Sequence, residues 1–288
     1  MLNVTKTAAE KRKAFKDGIN SGTLQRVPGA FSPLVARLLE EQGFDAIYIS
    51  GAVLSADLGL PDIGLTTLTE VATRGHQIAR STNLPCMIDV DTGFGEPMSA
   101  YRTMVEMENQ GLAAFHLEDQ VNPKRCGHLD NKDVVPVDVM VRRIKAAVEA
   151  RKDENFTIMA RTDARGIEGL DAAIDRAKAY VDAGADAIQV SSHGGRQLDG
   201  APAPLDVLPS IRAAVPAGFP IALDGGVRSG EDILKALDAG ADFVFVGRPF
   251  LYAVAAYGLE GPLALFQMLA GELEAAMAMT GRRGLSRT

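Results

Sequence analysis

Two aspartates, Asp89 and Asp91, close an apolar run in Ile88-Asp89-Val90-Asp91-Thr92-Gly93. Residues two apart on a strand share a face, so both carboxylates are expected to point the same way. Like charges so placed are costly to desolvate unless a cation lies between them. Hard oxygen donors at this spacing suit Mg²⁺ that keeps several of its waters. Asp62, in Gly59-Leu60-Pro61-Asp62, and Glu118, at the end of another apolar run, are expected as further ligands or outer contacts. The alternative is that these carboxylates pair with Arg161 or a lysine in buried salt bridges. Lys124-Arg125-Cys126-Gly127-His128 sets a thiol beside two cations, which favours thiolate and acid/base or nucleophilic work. The same stretch also reads as an exposed cysteine in a solvated basic loop. Arg161 supplies a planar fork for a carboxylate. Cys86, flanked by Pro85 and Met87, reads as core.

The second half carries different chemistry. Asp224-Gly225-Gly226-Val227-Arg228 and Gly247-Arg248-Pro249 each follow an apolar run. Glycines there let backbone N–H groups approach an anion and the arginines add forks, so Asp224, Gly225, Gly226, Arg228, Gly247 and Arg248 read as a phosphate site. His193 and Arg196 share one glycine-rich loop. A proton-exchanging imidazole beside a carboxylate clamp suits an α-hydroxy acid.

These groups need a frame that gathers them. Strand-like segments fall at 24–30, 44–50, 84–90, 112–118, 155–161, 185–191, 219–223 and 241–246, with helical patterns such as 98–110, 136–151, 170–183 and 231–239 between them. Gly43, Gly111, Gly184 and Gly240 each stand where a helix hands over to a strand, as left-handed caps do. Eight alternating units predict an α/β fold, a single-domain (βα)8 TIM barrel with an N-terminal helix, closed by a helix over about 261–280. An open doubly wound sheet is the alternative; no Gly-x-Gly-x-x-Gly follows the first strand. In a barrel the chemistry sits at the C-terminal ends of the strands, where the polar residues cluster.

A net charge of −7 and a pI near 5.2 argue against nucleic-acid or anionic-membrane partners. Two cysteines make no disulfide framework, the N-terminus lacks a signal-peptide core, and no apolar run is read as bilayer-spanning. A cytoplasmic protein binding a small phosphate or carboxylate ligand is expected.

Residues 10–187 resemble the methylisocitrate lyases of the isocitrate lyase/phosphoenolpyruvate mutase superfamily. The likeness rests on Ser50-Gly51, Gly59-Leu60-Pro61-Asp62, Asp89 to Gly95, Leu117-Glu118-Asp119-Gln120, Lys124 to His128 and Met159 to Asp163. It implies Mg²⁺ on Asp89 and Asp91 with Asp62 and Glu118 nearby, and a substrate carboxylate on Ser50, Gly51 and Arg161. It also implies Cys126 as proton donor to a succinate-type carbanion. Ala52 stands where that family has a second glycine. Residues 184–285 instead resemble the FMN-dependent α-hydroxy-acid dehydrogenases, through Ser192 to Asp199, Asp224 to Arg228 and Gly247-Arg248-Pro249. That likeness implies His193 as base, Arg196 as carboxylate clamp and an FMN phosphate on the later loops. The lysine which that family carries on strand five is Arg161 here. The expectation is therefore a hybrid, engineered chimera joined near Ala183-Gly184-Ala185-Asp186, lyase-like over 1–184 and flavoenzyme-like over 185–288, binding FMN or a smaller phosphate with weak native catalysis. The alternatives are Mg²⁺-dependent methylisocitrate-lyase cleavage and FMN-dependent hydroxy-acid oxidation. Both families typically form tetramers, which leaves a homo-oligomer open.

Overall fold

The computed structural model describes residues 4–21, 23, 25–126, 132–192 and 202–285. Seven strands form one parallel sheet in chain order: β1 (Ile47–Ile49), β2 (Cys86–Asp89), β3 (Ala114–Glu118), β4 (Thr157–Arg161), β5 (Ala187–Val190), β6 (Ile221–Asp224) and β7 (Phe243–Phe245). Around them run α1 (Ala8–Asn20), α2 (Pro33–Glu41), α3 (Gly51–Asp57), α4 (Leu68–Ala79), α5 (Pro97–Asn109) and α6 (Val137–Ala150). They are followed by α7 (Leu170–Asp182), α8 (Pro204–Ala214), α9 (Gly230–Asp238), α10 (Arg248–Tyr257) and α11 (Gly261–Met279). Capping boxes fix several starts, Thr7 with Glu10 at α1, Thr67 with Glu70 at α4 and Ser229 with Asp232 at α9.

Strand alternation sorts the core into two faces. Ile47, Ile88, Phe115, Ile158 and Ile188 pack outward with Met104, Met107 and Ile144 of α5 and α6. Val190, Ile221 and Leu223 do the same against α8, α9 and α11. Ala46, Met87, Ala114, Met159, Ala187 and Ala222 form a separate inner cluster with Tyr48, Phe243 and Phe245. The sheet curves so far that Tyr48 on β1 meets Phe245 on β7 edge-on, ring centroids 5.6 Å apart.

The expected eighth strand is a correction. Of the expected strand, the described residues 25–30 make one parallel bridge, Gly29 to Tyr48, with Tyr48 N donating to Pro28 O and Ala30 N to Tyr48 O. Continuing the ladder backwards needs an N–H at Pro28, which proline lacks. The described residues thus form a seven-stranded, barrel-like parallel sheet rather than a full (βα)8 closure.

The glycine joints adopt the expected left-handed caps, at φ 75° for Gly43, 82° for Gly111, 100° for Gly184 and 114° for Gly240. Each strand begins about two residues later than its apolar run, because the residues after the glycine serve another purpose. Asp45, Asp186 and Asp242 turn back to accept from the backbone N–H of Arg26, Ile158 and Ile221 at 2.8, 2.9 and 2.7 Å. Arg26, Arg151 and Arg212 pair with the same three aspartates. One device thus ties neighbouring units together at the N-terminal end of the sheet.

One stretch, Arg248–Met279, is long and apolar enough by composition to cross a bilayer, which corrects the reading that none is. Gly258, at φ 57°, breaks it into α10 and α11. Leu265, Leu269 and Leu273 of α11 are buried in the cluster shared with α9.

Candidate active site

The C-terminal ends of the strands bring together Tyr48, Asp89, His116, Glu118, Arg161, Gln189 and Asp224, all at alternate, inward positions of their strands. Asp89 ends β2, whereas Asp91 lies two residues past it in the left-handed region at φ 50°, a conformation aspartate tolerates better than most residues. The two carboxylates meet the same mouth through this turn rather than through strand alternation. Asp91 N donates to Asp89 Oδ1 at 2.9 Å, and Gly51 N donates to Asp89 Oδ2 at 3.3 Å.

The cation that a carboxylate pair requires is a lysine in this structure. Lys124 Nζ lies 2.5 Å from Asp62 Oδ1 and 2.7 Å from Asp91 Oδ1, on a side chain only 4% exposed. Burial works against its charge, but Asp89, Asp91 and Asp62 together raise its pKa above the ordinary lysine value. Burial also opposes ionisation of Asp89, yet His116, Lys124 and Arg161 hold that carboxyl low. Asp91 is pushed the other way, by burial and by the neighbouring Asp89. This is the unequal behaviour expected of two acids sharing one pocket.

Beside them, Glu118 is fully buried and contacts the Arg161 guanidinium, which also reaches Asp163 Oδ2 at 3.2 Å. Tyr48 Oη and His116 Nε2 are 2.7 Å apart, and His116 Nε2 is 3.5 Å from Asp89 Oδ1. Burial drives the imidazole down to about 4, so it is neutral near pH 7. Gln189 Nε2 donates to Asp224 Oδ2 at 2.9 Å.

The carboxylates Asp62, Asp89, Asp91 and Glu118 are gathered, but among the described residues no three side chains converge as a preformed metal cage. Glu118 Oε1 nevertheless lacks a hydrogen-bond donor, while its Oε2 contacts Arg161 and Asp91 Oδ1 is held by Lys124. Hard carboxylate oxygens gathered at a buried mouth fit a water-retaining Mg²⁺ better than a soft metal. Ser50 caps α3 without spending its hydroxyl on the helix. Cys126 is partly exposed at the rim, its N–H donating to Asp62 O at 2.9 Å. Lys124, read from sequence as a neighbour that would activate this thiol, is committed to the two aspartates instead. Cys86 is buried as expected, and burial pushes its thiol up to about 12.

His193 and Arg196 lie outside the described residues, as does His128. The phosphate reading of the later loops is corrected by local bonding. The N–H groups of Arg228 and Ser229 both donate to the Asp232 carboxylate, at 3.0 and 3.2 Å. A carboxylate thus occupies the α9 N-terminus where an anion was expected. At Gly247 and Arg248, the Phe250 N–H is spent on Gly247 O. Gly225 and Gly226 take positive φ, and Asp224 turns inward to Gln189.

Sequence reasoning missed Tyr48, His116, Gln189 and the placement of Lys124. A usable signal existed for His116: it stands two before Glu118, the same alternation that singled out Asp89.

A parallel α/β sheet closing toward a barrel, with acids and an arginine at the C-terminal strand ends, is the layout of barrel enzymes, whose chemistry sits at that end. The chain belongs to the phosphoenolpyruvate phosphomutase family, whose model matches residues 15–212. A probable 2-methylisocitrate lyase of Corynebacterium glutamicum is 67% identical over 178 residues, 62% of this chain and 58% of that protein. The chain therefore spans less than two thirds of that relative's length. A solved 2,3-dimethylmalate lyase superposes with a TM-score of 0.72 at 29% identity, covering 96% of this chain and 97% of its own. A phosphonopyruvate hydrolase solved with oxalate and Mg²⁺ gives 0.73 at 27%, covering 94% and 88%. An FMN-dependent dehydrogenase model also matches residues 166–288. The expectation of an engineered FMN-binding hybrid is nonetheless overturned. The similar curated sequence and the solved 2,3-dimethylmalate lyase are named as lyases, and the superfamily fold extends across both halves of the chain, residues 185–288 included. FMN and the oxidoreductase readings fall with it.

Proposed function

We propose that the chain is a Mg²⁺-dependent carbon–carbon lyase acting on a 2-methylisocitrate-like hydroxy acid, releasing pyruvate and a dicarboxylate. The observation that carries this reading is the acid mouth of Asp62, Asp89 and Asp91, with the Lys124 ammonium held between Asp62 and Asp91 and Cys126 N–H bonded to Asp62 O. In this reading Asp89 and Asp91 would hold Mg²⁺, with Asp62 and Glu118 nearby. When bound, the ion would polarise the substrate's 2-hydroxyl and carboxylate oxygens.

The chain's own residues supply the rest. Arg161, fixed between Glu118 and Asp163, presents charge to the substrate carboxylate, with Ser50 and Gly51 opposite. Neutral His116 holds the Tyr48 phenol in place at the mouth. As the bond between the hydroxyl-bearing carbon and its neighbour breaks, the hydroxyl gives its proton to water at the mouth, from which the Cys126 thiolate is later reprotonated, and becomes the carbonyl of pyruvate. The electron pair left on the departing carbon takes the proton of the Cys126 thiol.

Pyruvate release from 2-methylisocitrate, followed with lactate dehydrogenase, tests this. Formation that needs Mg²⁺, stops with EDTA and falls at least about a hundredfold in C126S at unchanged melting temperature is expected. No pyruvate, or equal rates in C126S, overturns it.

A further inference from the structure

The acid mouth is only one end of a cavity of about 780 Å³. From Asp89, Lys124 and Arg161 it runs down the inside of the sheet to Phe15 and Ile19 of α1, and between β7 and residues 27–30 to Leu265 and Leu269 of α11. Barrel interiors are ordinarily filled by layers of branched side chains. Here the inward positions Ala114, Ala187 and Ala222 on three of the strands are alanine. Phe243 and Phe245, also on the inner side, are only half-buried although they sit within the inner cluster. Pro28 stops the ladder that would draw residues 24–30 into the sheet beside them.

We infer that this chamber receives an unbranched alkyl chain attached to the substrate's hydroxyl-bearing carbon, so that the substrate class is 2-alkyl hydroxy acids longer than the methyl compound. The inference rests on the proposed lyase reading for the chemistry of the mouth, but not for the chamber. Apolar space of this size, partly open to solvent where Phe31, Val53, Leu251 and Val254 line it, matches small-ligand pockets, and an alkyl group placed there leaves water. A substrate confined to the acid mouth would leave the apolar end unfilled. Cleavage would follow the same balance: the carbon–carbon bond breaks, the hydroxyl becomes a ketone, and the Cys126 proton goes to the dicarboxylate. The other product is then a straight-chain 2-oxo acid in place of pyruvate.

Calorimetric titration of the full chain, in Mg²⁺, with pyruvate, 2-oxohexanoate and 2-oxodecanoate reads the chamber without requiring turnover. Burial of each methylene predicts binding tighter by about fourfold per carbon until the chamber fills. Ala270→Phe, on the α11 wall of the chamber, is expected to retain pyruvate binding and lose the chain-length gain. Affinity independent of chain length in the native protein overturns the inference, whether or not A270F folds. Chain-length dependence without pyruvate release from 2-methylisocitrate keeps the chamber and removes the lyase reading. Release without chain-length dependence does the reverse.

Discussion

Lys124 Nζ sits 2.7 Å from Asp91 Oδ1, closing an ion pair that sequence spacing had reserved for a metal. Asp62 shares the same ammonium, so one lysine neutralises two acids drawn from different loops. Removing one partner of a buried pair strands the other charge, at a cost of about 3–5 kcal/mol. K124M should therefore melt well below the native protein. Millimolar Mg²⁺ should raise its melting temperature more than it raises that of the native chain, because the aspartates are then the ion's to hold. Melting curves with Mg²⁺ and with EDTA decide it; a variant as stable as native and blind to Mg²⁺ removes Lys124 from this role.

The repeated glycine-to-strand joint makes a second prediction. Asp186 accepts from the Ile158 N–H and pairs with Arg151 and Lys16. D186A leaves a buried strand N–H unpaired, which costs about 1–3 kcal/mol. Urea unfolding should show that loss with lyase activity per folded molecule unchanged, since the aspartate lies at the opposite end of the sheet from the acid mouth.

Acid lability should trace in part to Glu40. Its carboxylate accepts from Thr82 Oγ1, Asn83 N and Asn83 Nδ2 at 2.7, 3.0 and 2.9 Å. Burial pushes its pKa up, but these bonds and Arg37 outweigh that and hold it below the ordinary value. A depressed folded pKa stabilises above the unfolded carboxyl value of about 4.3, and that stability disappears as pH falls through the lower folded value. E40Q should thus be less stable than native at pH 7, with the gap closing as pH falls through the folded value. A gap of equal size at pH 7 and in strong acid would show that the charge contributes nothing.

Much of this fold was legible in the sequence. Gly43, Gly111, Gly184 and Gly240 marked four joints, and the apolar runs located every observed strand. The added eighth strand failed on one atom, the hydrogen that Pro28 does not have. At the site, Asp89, Glu118 and Arg161 were found because each ends a strand run. Lys124 was misread because a loop's sequence names its charges but not the direction they face. The later glycine motifs misled for a related reason. Asp232, four residues beyond Arg228, takes the very N–H groups that a phosphate would need, and local composition does not rank a side-chain cap above an absent anion.

Docking of the last helix onto the sheet turns on Gly230, and a single methyl group tests it. Gly230 opens α9 directly against α11, where a Cβ would collide with Leu273 N and Leu269 O. Its own N–H donates to Glu272 Oε2 at 2.9 Å, so the contact is both close and bonded. Backbone cannot yield as a flexible side chain can, and α11 would have to move away. Overpacking of this kind costs about 1–3 kcal/mol. Because Leu265 and Leu269 of α11 also wall the cavity, G230A should weaken binding of a long 2-oxo acid while leaving pyruvate binding intact. Denaturation and calorimetry on the same preparation separate the two effects. Native stability in G230A would mean that α9 and α11 do not pack as closely as this geometry requires.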